Sequence, residues 1–98
     1  MAYVIDVSAV SKLDSLISRE SCDSFESAAK SGYEILIQEI EDKLSYYYKY
    51  PTKQALALEV ERFEVQRVNT EFGLSDGRPT ITFLCEDLDL LIEVHAPE

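Results

Sequence analysis

From Phe25 to Tyr47 apolar side chains recur every three or four residues without a break: Phe25, Ala28, Ala29, Tyr33, Leu36, Ile37, Ile40, Leu44 and Tyr47. No other stretch restricts the fold as much. The spacing predicts a helix over about 24–48 with one apolar stripe. A helix this long must lay that stripe against a second layer. Its ends are legible too. Asp23 followed by Glu26 fits a capping box. Pro51 disfavours helical geometry at Tyr50, so the helix should stop near Tyr48.

Upstream, Val10, Leu13, Leu16 and Ile17 also stand at helical spacing, with Lys12, Asp14, Ser15 and Arg19 between them. This predicts a shorter first helix over Ser8 to Glu20. Tyr3 to Val7 either begins that helix or forms a short edge strand. Serines at 8, 11, 15, 18, 21, 24, 27 and 31 read as the wet side of both helices.

Downstream the period changes to two. Leu56, Leu58 and Val60 alternate, Phe63 and Val65 alternate in the opposite phase, and Val68, Thr70 and Phe72 return to the first. Each change of phase implies a bulge or bend. Over 53–62 a helix competes with a strand, because Leu56, Val60 and Phe63 also fit i, i+4, i+7. Asp76-Gly77 is a favoured two-residue hairpin turn. It sets Phe72 opposite Ile81, Thr70 opposite Phe83 and Val68 opposite Cys85. If Glu86-Asp87 forms the next loop, Cys85 faces Leu88, Phe83 faces Leu90 and Ile81 faces Ile92. Both hairpins then gather Phe72, Ile81, Phe83, Cys85, Leu88, Leu90, Ile92 and Val94 on one face. Glu-Asp is poor chemistry for a tight turn, so the second loop has room to be longer.

The expected class is α+β: two N-terminal helices on a C-terminal antiparallel meander of three to four strands. The 98 residues suit one domain, helical over 1–50 and strand-rich over 54–96. A chain this short is marginally stable alone, so association with itself or a partner would help.

Charge narrows the partners. Nineteen acidic side chains face nine basic ones, a net charge of −10. Such a field repels nucleic-acid phosphates and anionic membranes and draws in basic surfaces, or else simply keeps a small protein in solution. No apolar run reaches the roughly 18–20 residues of a membrane span. The start, Met1 to Asp6, lacks the features of a signal peptide. Cys22 and Cys85, far apart in the chain, read as small buried hydrophobes in a reducing compartment. A cytoplasmic protein is expected.

Reactive constellations are scarce. His95 is the single histidine and reads as a solvated side chain near the end of the chain. No Cys-x-x-Cys or paired His offers a zinc site. Glu86-Asp87-x-Asp89 lacks the remaining ligands and glycine of a calcium loop. Gly32, Gly73 and Gly77 stand apart and form no phosphate loop. Neither catalysis nor a metal or cofactor is expected.

Two features remain. Tyr46-Tyr47-Tyr48-Lys49-Tyr50-Pro51 holds four tyrosines. Tyr47 continues the buried stripe, whereas Tyr46 and Tyr50 face elsewhere; the rings close the core where helix meets sheet, or serve as a protein interface, or stack on single-stranded nucleic acid, the last opposed by the net charge of −10. The outer face of the meander would carry Glu71, Thr80, Thr82, Leu84, Asp89, Leu91 and Glu93. Glu86 and Asp87 would stand at its turn, and Glu59, Glu61 and Glu64 nearby. An apolar centre with a charged rim is a common binding design, and a solvated sheet face with two chance leucines is the alternative. The partner-binding residues expected are Tyr46, Tyr50, Leu84, Glu86, Asp87, Asp89, Leu91 and Glu93.

The function expected is non-enzymatic binding of another protein with a basic surface, with no direct contact to nucleic acid or membrane. Immunity proteins, antitoxins and phage anti-defence inhibitors, including nucleic-acid mimics, share this profile in character but not in sequence. The alternative is a dimeric adaptor or chaperone-like module.

Overall fold

The computed structural model describes residues 2–97, apart from the side chain of Leu13. In chain order the elements are β1 (Tyr3–Ala9), β2 (Lys12–Cys22), α1 (Phe25–Tyr47), α2 (Lys53–Arg67), β3 (Asn69–Ser75), β4 (Arg78–Cys85) and β5 (Leu90–His95). A single 3-10 turn at Glu86–Leu88 joins β4 to β5. The strands form one antiparallel sheet in the order β2-β1-β5-β4-β3. The α+β class therefore holds, but the helices lie mid-chain and both ends of the chain supply strands.

The expected first helix is the correction with the largest consequence. Residues 8–20 lie in a hairpin, and β1 is a central strand, neither helix nor edge. Val10, Leu16 and Ile17 do recur at helical spacing, yet Leu16 and Ile17 remain exposed. Ile5 and Val7 alternate with Asp6 and Ser8, and that period-two pattern finds a partner on each side. A helix over these residues would leave β5 without its inner neighbour. Pairing over distance overrides local periodicity.

α1 lies where its stripe predicts. Its cap is Ser24, one residue beyond the capping-box Asp, and the Ser24 hydroxyl accepts from the Ser27 amide. It ends at Tyr47, with Tyr48 as its cap. Leu36 and Ile40 are fully buried. At Gly32 the helix approaches the sheet so closely that an added Cβ would lie 3.1 Å from Val94 and 3.5 Å from Ile92. Residues 53–62 resolve as helix. Thr52 caps α2 by accepting from the Ala55 amide, and Leu56, Val60 and Phe63 turn toward the core. Leu58 and Val65 point to solvent, and they made the stretch look two-periodic.

The first hairpin register is as read: Phe72 faces Ile81 and Thr70 faces Phe83. Val68 does not reach Cys85, because it caps α2 and the ladder ends at Asn69–Leu84. The second loop runs from Glu86 to Asp89. Cys85 therefore faces Leu90, Phe83 faces Ile92 and Ile81 faces Val94. The register moves by two residues, and an even shift keeps every side chain on its face. The core under α1 thus holds Ile5, Val7, Ile81, Phe83, Leu90, Ile92 and Val94.

Candidate functional site

Period-two alternation that turns those residues toward α1 turns their neighbours to the opposite face. There the registers align side chains in rows across the strands. One row runs Arg19, Asp6, Glu93, Thr82, Glu71 from β2 to β3. The next runs Leu16, Ser8, Leu91, Leu84, Asn69. An apolar row beside a mostly anionic one is the arrangement expected of a docking face.

Asp6 is a buried charged group on this face, with 6% of its surface exposed. Arg19 donates to both carboxylate oxygens, Nε to Oδ1 at 2.6 Å and a terminal nitrogen to Oδ2 at 2.8 Å. His95 Nε2 lies 2.7 Å from Oδ2, and its Nδ1 lies 2.9 Å from the Ala96 carbonyl. Two acceptors at the two ring nitrogens favour the doubly protonated imidazolium. Burial opposes a charge on His95, but the Asp6 and Ala96 hydrogen bonds and the nearby charges of Asp6 and Glu93 outweigh it and raise its pKa. The Arg19 hydrogen bonds hold the Asp6 carboxyl below its usual value despite its burial, and His95 adds to the effect. His95 is therefore a half-buried partner in an ion cluster, not the solvated side chain expected. A lone histidine carries no sequence signal of this; only the pairing of β5 with β1 brings it to Asp6.

The expected site residues do not converge. Leu84 and Leu91 face each other at the middle of the rows, and Glu93 stands exposed beside them. Asp89 is drawn into a turn. With φ at +52° it accepts from the Ser11 amide at 2.8 Å and the Ser11 hydroxyl at 2.6 Å, which lowers its pKa. Asp87 turns toward the helices, its carboxylate 3.6 Å from Arg67 and its carbonyl accepting from Lys43 at 2.6 Å. Glu86 is exposed at the same end. Glu59, Glu61 and Glu64 belong to α2 and lie away from this face.

The tyrosines gather at the far end of α1. Tyr46 and Tyr47 pack edge to face at 5.0 Å, and Tyr48 with the half-buried Tyr50 at 6.4 Å. Tyr47 does not extend the core: it is 65% exposed, because the helix outlasts the residues that cover Leu36 and Ile40. A groove of about 750 Å³ between α1 and α2 is lined by Tyr47, Tyr48, Tyr50, Lys43, Arg62 and Arg67, among others. Cys85 is fully buried, with its thiol pKa raised by that burial, and Cys22 is half-buried. Among the described residues, no helix is long and apolar enough to cross a membrane. Compared with protein-family models, with curated proteins and with solved structures, the chain finds no match in any of the three.

Proposed function

We propose that this chain is a non-enzymatic binding domain that inhibits a partner protein by covering a basic surface, such as the cleft of a nucleic-acid-handling protein. One observation carries this reading. Leu84 and Leu91 form an apolar pair on the face opposite α1, and the exposed Glu71 and Glu93 stand in the adjacent row. The leucines supply area to be desolvated, and the carboxylates speed encounter with cationic groups. The overall charge of −10 acts in the same direction at longer range. The clamped state of His95 also favours a surface role over acid–base chemistry.

The test uses the full chain immobilised and exposed to a lysate of its host, at low and at high salt. The charge-reversed double variant Glu71→Lys/Glu93→Lys runs in parallel; both side chains are exposed, so folding should be unaffected. The reading requires a basic protein that is captured by the native chain, released as salt rises, and missed by the variant. Equal capture by the variant, or a strongly acidic partner, would sink it.

A further inference from the structure

The two edges of the sheet are built differently. β2 carries Lys12, Asp14, Arg19 and Glu20, and its ladder to β1 slips out of register around Leu16 to Ser18. Charges and a bulge are the usual protections of a free edge. β3 has neither. Over Asn69–Ser75 its one charged residue is Glu71, it holds no proline or lysine, and its ladder to β4 runs without a register shift. All seven of its residues are exposed. Phe72 and Leu74, at 77% and 75%, are among the most exposed large apolar side chains described. The hairpin also reaches past the body of the sheet, since the β4–β5 ladder begins only at Ile81.

The polar groups of this edge can be assigned from the register. The turn at Asp76-Gly77 has positive φ at both residues, 53° and 76°. In such a two-residue turn Ser75 and Arg78 form the closing hydrogen-bonded pair. Hydrogen-bonded and non-bonded pairs alternate from there, so Thr70, Phe72 and Leu74 direct N–H and C=O away from β4. Pro79, which lacks an N–H, falls opposite Leu74 at a non-bonded pair, as this parity requires.

We infer that β3 is a dimerisation edge whose occupant is β3 of a second copy, aligned antiparallel and centred on Phe72. In that register Phe72 meets Phe72, and Thr70 meets Leu74 twice, each pair exchanging both of its hydrogen bonds. Every outward group at these three positions is then satisfied. Glu71 falls opposite Gly73, so no like charges oppose each other. Phe72 and Leu74 of both copies form one apolar strip on the side of the sheet that faces α1, to which Phe72 and its partner Ile81 point. The edge is thus complementary to itself, as a two-fold interface must be. A strand with blocking charges, such as β2, would fit it less well. Self-pairing works against a charge of −10 on each copy, so the dimer should tighten as salt rises. Capture of a basic partner has the opposite salt dependence, and the two ideas can therefore fail separately.

Sedimentation of the full chain over a concentration series, at low and high salt, gives the stoichiometry. Amide hydrogen exchange read by NMR gives the register. A monomer–dimer equilibrium that tightens with salt is expected. So is concentration-dependent protection of the Thr70, Phe72 and Leu74 amides, which a monomer leaves open to water. Phe72→Lys/Leu74→Lys should weaken the dimer by more than about tenfold while leaving the monomer folded, since both side chains lie outside the core. A chain that sediments as a monomer with those amides unprotected at every concentration overturns the inference. A dimer that survives the double substitution overturns it as well.

Discussion

Asp6 shows how much one position can tie together. Its carboxylate joins Arg19 on β2 and His95 on β5 from a place on the strand between them. Asp6→Asn should remove the carboxylate that Arg19 and His95 share and lower unfolding stability by about 1–2 kcal/mol, near the low end for charged hydrogen bonds because Arg19 is largely solvated. Urea denaturation checks it. The pH dependence has two limbs. His95 has a folded pKa above its usual 6.5, so its contribution is whole below that value and is lost as pH rises through the folded pKa. Asp6 has a folded pKa below 3.8, so its contribution is whole above 3.8 and is lost as pH falls through the folded pKa. The cluster is therefore most stabilising between 3.8 and 6.5. In His95→Gln the alkaline limb should flatten; an unchanged limb would show that the ring is not charged in the fold. Tyr33 gives an independent readout. Its phenol donates to Glu64 at 2.6 Å and its pKa is pushed up to about 12. Ultraviolet titration should show a late-titrating tyrosine that disappears in Tyr33→Phe.

At the scale of elements, turns fix what helices and strands can do. Gly77, with φ +76°, holds the β3–β4 register, and Gly77→Ala should cost about 1–2 kcal/mol through the left-handed backbone alone. Its added Cβ meets nothing within 4 Å, so crowding adds nothing to that cost. A thermal melt that does not move would contradict the turn assignment. The four-residue loop Glu86 to Asp89 depends on Asp89 as well, through its bonds to Ser11. The hairpin at Asp76-Gly77 was legible because its chemistry is local. The second loop was not, because Glu-Asp states no preference and Ser11, which holds it, is 78 residues away. The α2 stretch stayed ambiguous for a related reason: outward Leu58 and Val65 imitate a strand, and only packing against α1 tells them from Leu56 and Val60.

Taken whole, the molecule is 46 Å long and 26 by 20 Å across, which leaves much surface for so small a chain. Its charge of −10 is spread over that surface and works against compactness. Raising ionic strength from about 10 mM to about 1 M shortens the screening length from about 30 Å to about 3 Å. The urea midpoint of the chain should rise over that range. A fall would mean that attractive pairs such as Arg19–Asp6 outweigh the repulsion. The proposed docking face also belongs to this scale, since its rows are assembled from strands distant in the chain.

α1, the stripe it buries, the Asp76-Gly77 turn and the division of β4 and β5 into an inner and an outer face were legible in residue order alone. Each follows from contacts between residues close in the chain, where period and turn chemistry suffice. That Tyr3–Ala9 and Lys12–Cys22 are strands, that β1 has a neighbour on each side, and that His95 is held by Asp6 emerge only from the assembled fold. Those outcomes rest on hydrogen-bonded pairing between the two ends of the chain. A strand's partner is chosen by complementary edges brought together in folding, and no local period records that choice.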